Sequence, residues 1–324
     1  MSKCLVVGGG NFVGASIVRR LVGQGDEVHV LIEPDDDIWR LHEYFYKVDI
    51  HRVSLLEADT VKSVLQSISP NLIFNTGGYG KRLYQKDIKK IYEYNFHGIV
   101  NLLEACKKVG FESFVTAGTC EEYGFRSGYI REEETTSPLT HYGVSKVAST
   151  AYCIREAQVT GLPIYVVRPF CVFGDYESRS KLLGAVFASV FRHVPVLLLS
   201  PQATRDFVYI NDVVDMFISV ARRKPQGQNI FNCGTGISTR VIDFVGEVEK
   251  ILGKSINAHW SSCAGDNNLN NSSCCADISK ARKYLEWEPK YSLGEGLASA
   301  FEWFSENFHL YREGGEREFI TTRF

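Results

Sequence analysis

The sequence predicts an α/β fold with a doubly wound parallel sheet and a smaller carboxyl-terminal lobe. Short apolar strands alternate with helical patterns through the first half of the chain, which is the order typical of a parallel sheet. A glycine-rich turn separates the first strand from the first helix. After Arg168-Pro169 the pattern changes to short apolar pieces between polar loops. These observations divide the chain into residues 1–169, with return segments around 206–236, and residues 170–324.

Six strands are predicted in the first half, each a short run rich in apolar or β-branched residues. They are Cys4–Val7, Glu27–Ile32, Val53–Leu56, Leu72–Asn75, Phe114–Thr116 and Ile164–Val167. Helical periodicity connects them, and the longest helix between them is predicted from about Asp87 to Lys108. Further helices are predicted near Asn211–Arg222, Val241–Leu252 and Leu293–Phe304.

Composition excludes several classes of protein. Hydrophobic residues make up 44% of the chain and charged residues 23%, as in an ordinary globular protein. The net charge of −2 gives no reason to expect nucleic acid or an anionic membrane as partner. The nine cysteines and eight histidines show no metal-ligand spacing, so no metal site is predicted. Because no signal peptide or membrane-spanning apolar run is found, we predict a cytoplasmic protein.

The glycine-rich turn is the run Gly8-Gly9-Gly10-Asn11-Phe12-Val13-Gly14. Glycine lets the backbone approach a pyrophosphate, and the amino terminus of the following helix attracts the anion. A tight turn without a ligand is the alternative, but the strand before and the helix after favour a dinucleotide. Glu33 follows the second strand, where a carboxylate accepts hydrogen bonds from the adenosine ribose and repels a 2′-phosphate. NAD is therefore predicted, while the nearby Arg40 leaves NADP open.

The predicted catalytic residues lie between Ser113 and Lys146. Thr119 follows a buried strand, at the edge where open α/β sheets bind their ligands. Tyr142 and Lys146 are four residues apart on a predicted helix, so their side chains share one face. A free tyrosine has a pKa of about 10, but the Lys146 ammonium and a positively charged nicotinamide favour the phenolate. Thr119 can then hold the same substrate oxygen, beside a carbon that gains or loses hydride.

Together these motifs resemble the extended short-chain dehydrogenase/reductase family, and within it the nucleotide-sugar epimerases, dehydratases and 4-ketoreductases. The motifs are the glycine-rich turn, Asn95-x-x-Gly98, Thr119, Tyr142-x-x-x-Lys146, Arg168-Pro169, Arg205-Asp206-Phe-Val-Tyr209, Asp277-Ile278-Ser-Lys280 and Trp287-x-Pro289. The resemblance implies a Rossmann cofactor domain, a sugar-nucleotide lobe, and homodimers formed by the helices that hold Asn95 and Tyr142. It also implies a nucleotide-diphosphate sugar as substrate and a role in cell-surface polysaccharide biosynthesis.

The resemblance implies a role for each matched position. Tyr142 is the acid/base at carbon 4 of the sugar, Lys146 binds the nicotinamide ribose, and Arg205 contacts the substrate diphosphate. The cofactor-binding residues are Gly8, Gly10, Asn11, Phe12, Val13, Gly14, Glu33, Ser54, Leu55, Gly77, Asn95, Tyr142, Lys146 and Pro169. The substrate-binding residues are Tyr79, Cys171 and Arg205.

Four positions depart from the family pattern. The middle glycine of the phosphate turn is Asn11, and because asparagine tolerates left-handed backbone, we expect binding to survive. The aspartate that often holds the adenine is Ser54. The asparagine expected after Arg168-Pro169 is Cys171, and the arginine before Gly265-Asp266 is Cys263. The last two changes remove polar substrate contacts.

The triplet Thr119-Cys120-Glu121 bears on the type of reaction. The family's 4,6-dehydratases carry Thr-Asp-Glu here, with the aspartate as acid for the departing hydroxyl and the glutamate as base at carbon 5. A thiol of pKa about 8.5 is mostly protonated at pH 7 and can donate a proton. The triplet is also similar to that of a 5,6-dehydratase of tunicamycin biosynthesis.

The overlapping run Glu121-Glu122-Tyr123-Gly124 equally resembles the Glu-Tyr-Gly ending of 4-ketoreductases. In that interpretation Cys120 only lines the pocket and Glu121 is structural. We predict a dehydratase or epimerase that retains its NAD, with a 4-ketoreductase as the alternative. A non-catalytic dinucleotide-binding protein is a distant third interpretation, because such relatives usually lose the tyrosine or the lysine.

Overall fold

The computed structural model describes residues 1–80, 85–261 and 274–311. In chain order the strands are β1 (Lys3–Val7), β2 (Glu27–Ile32), β3 (Asp49–Arg52), β4 (Leu72–Asn75), β5 (Ser113–Ala117), β6 (Gly128–Ile130), β7 (Ile164–Pro169), β8 (Cys171–Phe173), β9 (Val196–Leu199), β10 (Thr204–Arg205), β11 (Phe207–Tyr209), β12 (Ile230–Cys233), β13 (Thr239–Arg240), β14 (Ala258–Ser261) and β15 (Cys274–Ala276).

The α-helices are α1 (Phe12–Gly23), α2 (Ala58–Ile68), α3 (Ile88–Tyr92), α4 (Gly98–Val109), α5 (His141–Thr160), α6 (Leu182–Arg192), α7 (Ile210–Arg223), α8 (Val241–Leu252), α9 (Ser279–Leu285) and α10 (Leu293–Asn307). A π-helical turn (Glu93–His97) joins α3 to α4. Short 3-10 helices span Trp39–Lys47, Cys120–Glu122 and Phe308–Leu310. None of the helices within the described ranges has both the length and the apolar character needed to cross a membrane.

A parallel sheet of seven strands forms the centre of the molecule, in the order β12-β7-β5-β4-β1-β2-β3. The strand order reverses at β1, which pairs with β2 on one side and β4 on the other. In open α/β sheets, ligands bind at the carboxyl edge of such a switch point. Helices α2, α4 and α5 cover one face of the sheet, whereas α1 and α7 cover the other. The predicted doubly wound α/β fold is confirmed.

Five of the six predicted strands are confirmed, and the third is wrong. The strand there is Asp49–Arg52, and the predicted Val53–Leu56 follows it as a loop. Strand β3 lies at the edge of the sheet and is partly exposed. Because most of its residues are polar, it lacks the apolar run by which the other strands are predicted. Val53 and Leu55 are buried after the strand has ended.

The helix predicted from Asp87 to Lys108 is confirmed. It runs without a break from Ile88 to Val109 through α3, the π-helical turn and α4. The predicted helix Val241–Leu252 has the predicted bounds. The seventh strand of the sheet, β12, comes from the second half of the chain and pairs with β7.

Candidate functional site

The turn after β1 is packed so tightly that it requires glycine. Gly8 has a φ of +71°, and a Cβ atom on it would lie 2.6 Å from the backbone nitrogen of Gly77, after β4. A Cβ atom on Gly14 would lie 2.3 Å from the carbonyl oxygen of Gly8. The carboxyl ends of β1 and β4 therefore meet the start of α1 with no side chain on Gly8 or Gly14, which lets a phosphate approach main-chain N–H groups. We call residues 8–14 the glycine cradle.

Asn11 caps the helix that follows this turn. Its backbone is extended, with φ −81° and ψ 173°, so the expected left-handed conformation is wrong; Gly8 takes the positive φ instead. The Asn11 side chain accepts from the Gly14 N–H over 2.8 Å and donates to the Thr76 carbonyl over 2.7 Å. Because this cap uses the Gly14 N–H, the N–H groups of Phe12 and Val13 are the ones that the helix start can offer an anion.

Glu33 lies at the end of β2 and is fixed by the loop that follows β3. Its Oε1 accepts from the backbone N–H of Leu55 over 3.0 Å. Burial raises the pKa of Glu33, and hydrogen bonds from Leu55 and Ser54 oppose that rise. Asn101, which the sequence analysis did not identify, donates to the Leu55 carbonyl over 2.9 Å. In the sequence, this role of Asn101 is indicated only by its position as a polar residue one turn after Gly98 on α4.

Arg40 does not lie beside Glu33 as a phosphate ligand. Its side chain is buried, its Nε donates to the carbonyl oxygen of Tyr176 over 3.0 Å, and its guanidinium lies 4.5 Å from the Trp39 ring centroid. The guanidinium is thus engaged with the second lobe. This removes the reason for expecting a 2′-phosphate and favours NAD over NADP.

Asn95 connects the loop after β4 to the helix that carries the predicted acid/base. Its side-chain oxygen accepts from the Tyr79 N–H over 2.7 Å. Its amide nitrogen donates to the Tyr79 carbonyl and to Ser145 Oγ, both over 2.8 Å. The hydroxyl of Ser149 on α5 donates to the Asn95 carbonyl. Asn95 lies in the π-helical turn, a feature frequent at functional sites, and it positions Tyr79 against α5.

Tyr142 and Lys146 lie on the first turns of α5, whose N-cap Thr140 accepts from the Gly143 N–H over 2.9 Å. The Tyr142 ring faces Gly80, where a Cβ atom would lie 3.6 Å from Tyr142 Cδ2. Lys146 is buried, and among the described residues none hydrogen-bonds its ammonium. Burial lowers the pKa of Lys146, and the negative charge of Glu122 opposes that change.

Thr119 is held so that its hydroxyl can donate. It is the N-cap of the 3-10 helix Cys120–Glu122, and its Oγ1 accepts from the Glu121 N–H over 3.3 Å. Since that oxygen already accepts a bond, its own hydrogen can be given to a ligand oxygen. Glu121 Oε2 accepts from the Thr140 hydroxyl over 3.0 Å. The Thr-Cys-Glu triplet and the start of α5 are therefore physically joined, with Cys120 half-buried beside them.

The remaining predicted residues lie where β7 leads into the second lobe. Pro169 ends β7, and the Cys171 N–H at the start of β8 donates to the Asp206 carbonyl over 2.9 Å. Arg205 on β10 pairs with Thr239 on β13. Cys263, Gly265 and Asp266 lie outside the described residues.

Asp206, which the sequence analysis named only as part of a motif, organises this region. Its carboxylate is buried and accepts backbone N–H groups of Thr235, Gly236 and Ala276 over 2.7 to 2.9 Å. Burial raises its pKa, and these hydrogen bonds lower it. One side chain therefore fixes the loop after β12 and strand β15 next to Arg205.

No cluster of three His, Cys, Asp or Glu side chains able to hold a metal ion occurs in the part of the chain that the structure describes. The glycine cradle follows β1 and Glu33 follows β2, so both lie at the carboxyl edge of the sheet, where the ligands of open α/β sheets bind.

Known proteins resemble this chain over almost its whole length. UDP-glucuronate 4-epimerase of Thermodesulfobacterium geofontis is 27% identical over 329 residues, which cover 96% of this chain and 99% of that protein. The structure of MoeE5 in complex with UDP-glucose and NAD has a TM-score of 0.83 at 24% identity, covering 94% of this chain and 99% of that one. dTDP-glucose 4,6-dehydratase of Bacillus anthracis, in complex with NAD, has a TM-score of 0.84 at 19% identity, covering 95% and 98%.

The two structures show the shared fold. Membership of a family is shown by a family model. The model of the NAD dependent epimerase/dehydratase family matches residues 4–234, which include the glycine cradle, Thr119, Tyr142 and Arg205. The predicted enzyme class and the predicted NAD cofactor are confirmed with it. This chain belongs to the NAD dependent epimerase/dehydratase family.

Proposed function

We propose that this protein retains NAD and uses it to oxidise and re-reduce carbon 4 of a nucleotide-diphosphate sugar. The observation that carries the proposal is the Thr119 hydroxyl, whose oxygen accepts the Glu121 N–H and whose hydrogen is available to a ligand. The helix that holds Tyr142 and Lys146 is bonded to the same segment through Thr140 and Glu121. In this proposal the Thr119 hydroxyl and the Tyr142 phenol bind one substrate oxygen, and the Lys146 ammonium binds the nicotinamide ribose.

The residues that hold NAD in this proposal are those of the glycine cradle, Glu33 and Lys146. A Cβ atom on Gly8 or Gly14 would clash with its neighbours, so both positions require glycine, which leaves the turn open to the pyrophosphate. Glu33 accepts hydrogen bonds from the adenosine ribose, and Lys146 donates to the nicotinamide ribose. NAD, when bound, supplies the hydride acceptor and the later hydride donor at carbon 4.

The protein's own groups move the proton and hold the oxygen. The Lys146 ammonium one turn away favours the Tyr142 phenolate, which takes the proton from the carbon 4 hydroxyl and becomes the phenol as the hydride leaves carbon 4. Thr119 donates a hydrogen bond to the same oxygen and fixes it while carbon 4 changes geometry. When the ketone at carbon 4 is reduced again, the Tyr142 phenol returns the proton to its oxygen. Arg205 contributes positive charge to the diphosphate, at the edge of the second lobe.

Within this scheme we favour epimerisation over dehydration. Glu121 is the predicted base at carbon 5, but one of its carboxylate oxygens accepts a hydrogen bond from Thr140 at the N-cap of α5. This bond gives Glu121 a structural role. Epimerisation needs no base beyond Tyr142. The 27% identical relative is named as a UDP-glucuronate 4-epimerase, which supports a UDP-sugar as substrate. Dehydration remains the second candidate because Cys120 and Glu121 occupy the positions of the dehydratase acid and base.

Two measurements test the proposal. The purified protein is denatured and its released dinucleotide quantified by mass spectrometry; we expect NAD close to one per chain, whereas an empty site that fills only with reduced cofactor indicates a 4-ketoreductase. The holoenzyme is then incubated with UDP-glucose, UDP-glucuronate and dTDP-glucose in deuterated water. Inversion at carbon 4 without deuterium at carbon 5 supports epimerisation. Deuterium at carbon 5, abolished by Glu121→Gln, identifies a dehydratase instead.

We also propose a cytoplasmic homodimer that pairs α3, α4 and α5 of two chains. Ile88, Val144 and Val159 on these helices are exposed apolar side chains, as expected of a surface that a second copy covers. Sedimentation equilibrium tests the assembly, and a monomer at micromolar concentration contradicts it. A role in polysaccharide biosynthesis stays a prediction. We also propose that residues 1–169, with the return segments around 206–236, bind the cofactor. Residues 170–324 mainly bind the sugar nucleotide in this proposal.

A further inference from the structure

We propose that Glu122 is a positioning residue for this reaction, which fixes Thr119 through its backbone and supplies the counter-charge for Lys146. The catalytic part of this inference rests on the proposed function above. Glu122 adjoins Glu121, yet the 3-10 turn sends the two side chains to opposite sides. Glu121 reaches Thr140 near the surface, whereas Glu122 has no exposed surface at all.

Both oxygens of the buried Glu122 carboxylate accept hydrogen bonds. Its Oε1 accepts from the Thr119 backbone N–H over 2.9 Å, and its Oε2 accepts from Arg168 Nε over 2.9 Å and from Nη2 over 2.8 Å. Arg168 is equally buried and donates from Nη1 to the Tyr123 hydroxyl over 2.7 Å. Two nitrogens of Arg168 thus converge on one carboxylate oxygen, and hydrogen bonds between charged groups are shorter and stronger than neutral ones. Thr119 is thus anchored to a rigid pair at the ends of two adjacent strands, β5 and β7.

Gly118 shows how closely the pair is packed under Thr119. A Cβ atom on Gly118 would lie 2.6 Å from Glu122 Oε1 and 2.9 Å from Arg168 Cγ. The residue before Thr119 therefore has no side chain because the carboxylate and the guanidinium occupy that space. A small displacement of the pair would be transmitted directly to the backbone of Thr119.

Lys146 is the second group on which Glu122 acts. Both side chains are buried, and the 3-10 turn that carries Glu122 is bonded through Glu121 to the start of α5, which carries Lys146. Burial lowers the pKa of Lys146, and the negative charge of Glu122 opposes that change. The titratable groups linked to Glu122 by hydrogen bonds are Arg168 and, through Arg168, Tyr123 and Glu132. Arg168 donates to the Tyr123 hydroxyl and to the Glu132 carbonyl, and burial raises the pKa of Tyr123. A charged Lys146 stabilises the Tyr142 phenolate, so Glu122 supports the acid/base through Lys146.

Stability alone does not account for this pair. Replacing a buried ion pair by well-packed apolar residues is often neutral or stabilising, because removing two charges from water is costly. An apolar pair, however, can neither accept the Thr119 N–H nor place a negative charge beside Lys146. Both interactions that require a carboxylate, the hydrogen bond from Thr119 and the charge that acts on Lys146, involve residues of the site.

The test compares Glu122→Gln with a matched control, Glu132→Gln. Glutamine at 122 removes the negative charge, which weakens the hydrogen bonds from the Thr119 N–H and from Arg168. Glu132 is a second buried glutamate of the same network, whose carboxylate accepts from the Asn232 N–H over 2.8 Å. We expect Glu122→Gln to lower kcat by roughly 10- to 100-fold with KM changed by less than about threefold. We expect Glu132→Gln to leave kcat within about twofold of wild type.

A double-mutant cycle separates positioning from damage to the fold. If Glu122 acts in part through Thr119, Glu122→Gln should lower kcat by a smaller factor in a Thr119→Val background than in wild type, because that background has already lost the Thr119 route and keeps only the Lys146 route. An equal loss in both backgrounds contradicts the proposal. Should Glu122→Gln fail to fold because Arg168 is left unpaired, the neutral pair Glu122→Gln/Arg168→Gln takes its place in the same cycle.

A readout independent of turnover is the pH titration of Lys146, followed by its 13Cε resonance in the NAD-bound protein. We expect the midpoint to fall by about one pH unit or more in Glu122→Gln, and to stay unchanged in Glu132→Gln. An unmoved midpoint in Glu122→Gln overturns the counter-charge. If wild type turns over no nucleotide sugar, the proposed function fails, and this titration still decides the role of Glu122.

Discussion

The Nε atom of Arg40 lies 3.0 Å from the carbonyl oxygen of Tyr176, so the loop after β2 is tied to the second lobe. Trp39 adds aromatic contacts, with centroid distances of 5.9 Å to Tyr176 and 5.1 Å to Tyr311. The same loop borders the glycine cradle, because a Cβ atom on Gly10 would lie 3.0 Å from the Asp37 carbonyl. The contact therefore closes the loop over the place proposed for the cofactor.

We expect Arg40→Met to release NAD faster, by about tenfold, because the loop loses its hydrogen bond to the second lobe. The release rate is measured by diluting the holoprotein into an excess of NAD-binding competitor and following the bound dinucleotide. Arg222→Met is the control, since Arg222 pairs with Asp26 on the surface, over 2.7 Å. Equal release rates in the two variants would show that the loop does not retain the cofactor.

Tyr142→Phe should reduce turnover of the nucleotide sugar by at least about 100-fold while leaving NAD content unchanged. The phenol is the only group in the proposal that carries the proton at carbon 4, and general acid–base groups contribute about 10²- to 10⁴-fold. Activity and released dinucleotide are measured on the same preparation. Full activity in this variant would support a non-catalytic dinucleotide-binding protein or a different acid/base.

Glu177→Gln should stabilise the protein at alkaline pH. The Glu177 side chain is buried, and its Oε2 is without a hydrogen-bond partner among the described residues. Burial raises its pKa from 4.5 to about 8, against the charges of Lys181 and Arg40. The unfolded chain releases this proton near pH 4.5 and the folded chain only near pH 8, so this group lowers stability as pH rises between those values.

Urea unfolding at pH 5.5, 7 and 8 measures the effect. Relative to wild type, the gain in unfolding free energy of Glu177→Gln should grow with pH and reach about 1 to 3 kcal/mol at pH 8. A gain that is the same at all three values would mean that Glu177 does not carry a proton in the folded state.

Asn11→Ala should lower the free energy of unfolding by about 1 kcal/mol, the usual effect of losing an N-cap. Asn11→Gly should lower it less, by a few tenths of a kcal/mol, and it restores the glycine of the family pattern. Both variants lose the bond to the Thr76 carbonyl. Chemical denaturation of the two proteins gives the difference, and equal stabilities would contradict capping by Asn11.

Buried strands and amphipathic helices could be predicted because their apolar spacing is set by the core that they share. Edge strand β3 could not, since half of it meets solvent and its sequence is polar. The conformation of Asn11 was missed for a different reason: the positive φ of the turn is taken up by Gly8, three residues earlier. Which of two adjacent glutamates is buried depends on the turn at Cys120–Glu122, and Arg168, the partner of Glu122, is 46 residues away.

Strand β12 has a consequence for how this protein is made. The central sheet needs residues 230–233, so a nascent chain that ends at residue 169 exposes β7 as an open edge. Open edges pair with other chains. The ribosome must therefore extend the chain by more than sixty further residues before the sheet can close, and a fragment cut at the apparent lobe boundary should aggregate rather than fold.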